Sequence, residues 1–198
     1  MEELELRKKN EEFIQKIKER DPTFFDELKK GQTPEFFVLS CSDSRVSPSV
    51  ITQMPLGQMF VHRNIANQVV TEDESFSASL YYALKHLKVK KIVIKGHTDC
   101  GGVKAAWLDN GEKELKGWIS RVRDSLPKKE TMKDTVSLDE LTKLNVLKQV
   151  ERLLGHPIYK EYGTDIEVVG CLFHVESGQL ERVFSSKEQT GNGKKTHF

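Results

Sequence analysis

The sequence predicts an α/β fold: a central, mostly parallel β-sheet of about four parallel strands plus an antiparallel edge strand, flanked by helices and preceded by an N-terminal helical arm. Three observations predict it. Apolar runs of strand length recur at 35–40, 58–63, 91–95 and 165–173, with segments of helical period between them. Helical crossovers place such strands parallel in one sheet. The 198 residues, 37% of them hydrophobic, suffice for one compact domain with its own core and hardly for two.

Residues 2–30 read as helix, with Leu4, Phe13, Ile14, Ile17, Phe24, Phe25 and Leu28 at a rough 3.6-residue period among many charges. Asp21-Pro22 divides the stretch, because proline disfavours helix in the residue before it, and Gly31 closes an arm of residues 1–31. The arm's apolar strip has to pack on the chain's own core or on a partner chain. Residues 35–40 form a buried parallel strand by length and content, and residues 58–63 a second. Residues 75–87 form a helix whose positive N-terminal end meets the acidic cluster 72–74. The third strand, 91–95, ends at Gly96-His97, and Gly101-Gly102 precede a short helix through Leu108. Within the polar stretch 109–134, Trp118, Ile119 and Val122 are spaced for a small amphipathic helix. A long helix spans 137–154 and stops at Gly155-His-Pro157. The fourth strand, 165–173, leads through a turn at 176–178 into an antiparallel strand at 179–184. Residues 185–198 have the composition of a flexible tail.

The 31 basic and 30 acidic side chains leave a net charge of +1, which offers no electrostatic case for nucleic acid or an anionic membrane. No apolar stretch approaches the roughly 20 residues of a spanning helix. The N-terminus is mixed in charge, lacks an apolar signal region and is acidic for a transit peptide, so a cytoplasmic enzyme is expected.

Cys41, Cys100 and Cys171 are too few, and odd in number, for a disulfide framework, and point to metal or thiolate chemistry. Cys41-Ser-Asp-Ser-Arg45 follows the first strand and His97-Thr-Asp-Cys100 the third, at the carboxyl ends where ligands of parallel sheets sit. If those strands are neighbours, the clusters meet. Two thiolates and an imidazole suit zinc, and three protein ligands leave a fourth position open, as in catalytic sites. A Cys41–Cys100 redox pair and plain burial of Cys41 stay open on spacing alone. Asp43 and Arg45, two apart, can form a charge-assisted pair aimed at the metal or simply stabilise the loop.

Cys41-Ser-Asp-Ser-Arg-Val46, Phe60-Val-His-Arg-Asn-Ile-Ala-Asn67 and Gly96-His-Thr-Asp-Cys-Gly-Gly102 resemble, in order and spacing, the signature blocks of the β-class carbonic anhydrases. The resemblance runs from about Gln32 to Val183. It implies one zinc per chain, held by Cys41, His97 and Cys100, and reversible hydration of carbon dioxide to bicarbonate by a zinc-bound hydroxide that an Asp43–Arg45 dyad orients. It further implies substrate contacts from Gln32, Phe60, Ile65, Tyr82, Gly101 and Gly102, and a proton-shuttle position at His86. The expected partners are carbon dioxide or bicarbonate and further copies of the chain, as a homodimer or homotetramer with the N-terminal helices embracing the partner. Some relatives carry Trp three residues before the first Cys, as part of a site that shuts the enzyme. Val38 stands there here, so water is expected at the fourth position and Asp43 only becomes a ligand if the site closes. The rivals are hydrolysis of CS2 or COS on the same ligands and a zinc-stabilised binding protein without activity.

Overall fold

A computed structural model describes residues 3–109, 112–131 and 136–191. The chain divides into two compact units, Met1–Thr33 and Pro34–Phe198, where the sequence reading places the arm inside a single domain. The first unit holds α1 (Glu3–Arg20) and α2 (Phe24–Leu28). Phe25 meets Phe13 and Phe24 edge-on, with ring centroids 6.5 and 5.3 Å away. The helix break falls at Asp21, whose carboxylate accepts from the backbone and hydroxyl of Thr23.

The second unit carries a five-stranded sheet in the order β2-β1-β3-β4-β5. Along the chain its elements are β1 (Phe36–Cys41), α3 (Pro48–Thr52), β2 (Met59–Asn64), α4 (Glu74–Tyr81), β3 (Lys91–His97), α5 (Gly101–Trp107), α6 (Lys116–Arg123), α7 (Leu138–Gly155), α8 (Pro157–Tyr162), β4 (Glu167–Phe173), β5 (Leu180–Ser185) and α9 (Ser186–Gly191). The first four strands in that spatial order pair in parallel and β5 pairs antiparallel with β4, as expected. The central strands β1, β3 and β4 are near-continuous apolar runs because both faces are covered.

Four departures from the sequence reading have local causes. α3 and α8 each begin with proline at the first helical position, where its fixed φ and missing N–H suit a helix start. Pro157 therefore stops α7 and opens α8 at once. The helix expected over 75–87 ends as α4 and continues as a π-helical turn, Tyr82–His86. α9 takes up the first part of the expected tail: Ser186 Oγ accepts from Val168 N at 3.0 Å, and Arg182 on β5 pairs with Glu188. Residues 192–198, with the rest of that tail, lie outside the described residues.

α7 starts with a capping box, Ser137 and Glu140 satisfying each other's backbone N–H. It packs across β3 and β4, and Gly96 makes that approach possible: a Cβ there would lie 2.5 Å from Val146 Cγ2. One apolar cluster, centred on Phe37, Leu39, Phe76, Leu80, Ile92 and Leu153, forms the main core. A second gathers Cys41, Val46, Ala66, Cys100, Val103 and Phe173 at the carboxyl ends of the parallel strands.

Candidate metal centre

β1 and β3 are hydrogen-bonded neighbours, so the two polar clusters meet at one end of the sheet. Cys41 is the last residue of β1, His97 the last of β3, and Cys100 directly precedes α5. All three are buried, and their ligand atoms lie within 4.8 Å of one another. Zinc bond lengths of about 2.0–2.3 Å need only a modest contraction of that spacing. His97 Nδ1–H donates to the Thr98 carbonyl at 2.8 Å, which turns Nε2 toward the cysteines. Nε2 is buried with no hydrogen-bond partner, the state expected of a nitrogen whose partner is a metal. The donor set therefore fits zinc.

The sulfurs are prepared for one negative charge. The Cys41 thiol is pulled down to about 4, first by a hydrogen bond from Cys100, then by His97 and the backbone N–H groups of Asp43 and Ala66, against its burial. Cys100, as donor to that thiolate and itself buried, is pushed far up. A cation is what would let both ionise.

Asp43 sits beside this group. Its Oδ1 accepts from Arg45 N at 2.9 Å and Nε at 3.0 Å, and Oδ2 from Arg45 Nη2 at 2.7 Å. Oδ2 stands 3.9 Å from His97 Nε2. Arg45 holds the Asp43 carboxyl well below the usual carboxylate range, chiefly through the side-chain hydrogen bond. Asp99 braces Arg45 from the other side at 3.2 Å. Arg63 donates to the backbone oxygens of Cys41 (2.9 Å) and Asp43 (2.7 Å), so it fastens the loop that carries both.

The other expected residues fall into groups. The Ile65 methyl Cγ2 would lie 2.6 Å from a Cβ at Gly102, and Ala66 Cβ 3.2 Å from it. The structure thus brings Gly102 and Ile65 together, and gives Gly102 a packing reason to be glycine. Phe60, Tyr82 and His86 form an aromatic row, with centroids 5.7 and 5.2 Å apart. Gly101 opens α5, and His86 and Tyr82 are exposed. Gln32 is exposed on the N-terminal unit.

Sequence reasoning missed the support for the site. Lys95 is buried, donates to the Val46 carbonyl at 2.6 Å, and is pulled down to about 8 by burial. A lysine closing the apolar run 91–95, directly before Gly96-His97, is the signal that marks it. Trp118 Nε1 donates to Ile65 O at 2.9 Å. Ala66 and Asn67 adopt left-handed φ of 61° and 48°, a conformation that costs about 1–2 kcal/mol for an L-residue with a Cβ.

The chain's likeness to known proteins covers the whole of this arrangement. A family model described as carbonic anhydrase matches residues 36–180. A carbonic anhydrase of Emericella nidulans is 38% identical over 181 residues, covering 87% of this chain and 79% of that protein. Among solved structures, the β-carbonic anhydrase CafA of Aspergillus fumigatus superposes with a TM-score of 0.84 at 34% identity, covering 90% of this chain and 88% of that one. One of two tetrameric β-carbonic anhydrases of Sordaria macrospora does so with a TM-score of 0.80 at 30% identity, covering 91% and 96%. The matched span contains Cys41, Asp43, Arg45, His97 and Cys100, so sequence, sheet and donor group agree that this chain belongs to the β-class carbonic anhydrase family.

Proposed function

We propose that the protein hydrates carbon dioxide reversibly to bicarbonate and a proton, with one zinc ion per chain held by Cys41, His97 and Cys100. The observation that carries this reading is the buried Cys-His-Cys group with an ionised Asp43 clamped beside it. When bound, zinc supplies a nucleophile from water at neutral pH. Asp43 accepts a hydrogen bond from the attacking oxygen and so turns its lone pair toward the carbon. Arg45 keeps that carboxylate ionised and in place, and its grip favours Asp43 staying off the metal. Phe60, Ile65 and Tyr82 would supply apolar wall for a nonpolar gas, with the Gly101-Gly102 backbone positioning the substrate. The proton leaves to buffer, for which exposed His86 is a candidate relay.

The same reading takes the chain to be a homodimer or homotetramer. It is supported by the tetrameric Sordaria relative and by the exposed Val61, Ile65 and Tyr82 on and around the edge strand β2. Metal analysis beside stopped-flow carbon dioxide hydration tests the function. We expect about one zinc per chain and rapid hydration, with both lost in Cys41→Ser. A zinc-free active protein, or a zinc-loaded inactive one, overturns it.

A further inference from the structure

The Ala66 backbone is held in a strained left-handed conformation, and its N–H points at Cys41 Sγ, 3.4 Å away. Strain of this kind persists only where the surroundings over-determine it. Here they do so at the Ala66 carbonyl and at the residues Asn64 and Gln68 on either side of the turn. The Ala66 carbonyl accepts from Gln68 Nε2 at 2.7 Å and from Asn145 Nδ2 at 3.1 Å. Asn64 and Gln68 close a reciprocal pair around it, at 2.6 and 2.8 Å. Asn145, fully buried on α7, has its Oδ1 filled by Gln68, Ser125 and Gln149 at 2.8, 2.7 and 3.0 Å. Gly102 lacks the Cβ that would push the loop away.

We propose that Asn145 and Gln68 are positioning residues for the metal centre: by clamping the Ala66 carbonyl they aim the Ala66 N–H at Cys41 Sγ, and that hydrogen bond sets how much charge the sulfur gives to the metal. The inference rests on the reading of Cys41 as a zinc ligand. An N–H···S bond draws electron density from a thiolate, as hydrogen-bond donors around metal-bound sulfur generally do. Two thiolates make a metal less electrophilic than imidazoles would, so a fixed donor on one of them offsets part of that loss.

Cadmium exchanged into the purified protein reports this directly, through the thiolate-to-metal charge-transfer band. Competition with a chromophoric chelator gives the zinc affinity. Asn145→Ala is expected to shift the band to longer wavelength and weaken zinc binding about tenfold. Adding Ala66→Gly should return most of both, because glycine takes a positive φ without strain. Ser125→Ala, which removes a donor to the same Asn145 oxygen away from the loop, should lower Tm and leave the band in place. Gln68→Met reads out the same clamp if Asn145→Ala does not fold. A folded Asn145→Ala or Gln68→Met protein with the wild-type band and affinity overturns the proposal, as does a band that Ala66→Gly fails to restore. A wild-type protein with no charge-transfer band overturns the ligand reading, and this inference with it.

Discussion

Asp43 spends both of its oxygens on Arg45, and that choice separates chemistry from stability. Arg45 is about half exposed, with 47% of its side-chain surface accessible, so the ion pair is well screened and adds little to the fold. Its value lies in keeping one carboxylate charged and pointed beside His97 Nε2. Arg45→Ala and Asp43→Ala should therefore lower carbon dioxide hydration by orders of magnitude while zinc content and Tm stay close to wild type. Arg45→Lys, which keeps the charge and loses the planar fork, should fall between. Stopped-flow rates with metal analysis on the same preparations decide it: wild-type turnover in either alanine variant removes the dyad from the mechanism.

At the scale of elements, the placement of the site depends on how closely α7 lies on β3. Gly96 directly precedes His97, and an added methyl there would meet Val146 Cγ2 at 2.5 Å. Neither partner can give easily, since β3 is held between β1 and β4 and a β-branched valine in a helix has one favoured rotamer. Gly96→Ala should cost about 1–3 kcal/mol by overpacking, with Val146→Ala in the same chain recovering part of it in thermal melts. This element is also where sequence reasoning reaches its limit. β1, β3 and β4 were legible because each is an apolar run of strand length, and α7 because a long helical stretch from Ser137 stops at Gly155-His-Pro157. α3 and α8 were not, because at five and six residues they carry less than two turns of periodicity and both open on proline. The grouping of Cys41, His97 and Cys100 was legible from spacing and resemblance, since Cys41 and His97 sit at strand ends. The clamp on Ala66 was not: an alanine does not announce a positive φ as a glycine would, and Asn145 reads as one more polar residue in a long helix. Contacts across roughly 80 positions of sequence, such as Asn145 to Ala66, leave no local trace.

For the molecule as a whole, two histidines outside the metal group, the buried His156 and the half-buried His62, shape how it responds to acid. His62 and His156 both pack edge-on against the same core ring, Phe76, at 5.5 and 5.6 Å. Burial pushes both imidazoles below their ordinary 6.5, with Asp73 opposing weakly at His62 and Glu72 at His156. The sign follows from which state binds protons more readily. Above pH 6.5 both residues are neutral folded or unfolded, and their contribution is level. Below it the unfolded chain takes up protons that the folded imidazoles refuse, so stability falls as pH drops through 6.5 toward the depressed folded values. His156 adds a structural step: its Nδ1 accepts from Ile158 N at 3.3 Å and caps α8, and a proton on Nδ1 would set two donors against each other. Denaturant unfolding between pH 7.5 and 5.5, with metal chelated so that proton competition at the cysteines plays no part, should show a steady loss of stability. His156→Asn keeps a capping oxygen that cannot be protonated, and should flatten that slope. An unchanged slope in His156→Asn would move the acid sensitivity away from α8 and onto His62, where His62→Gln tests it by the same measurement.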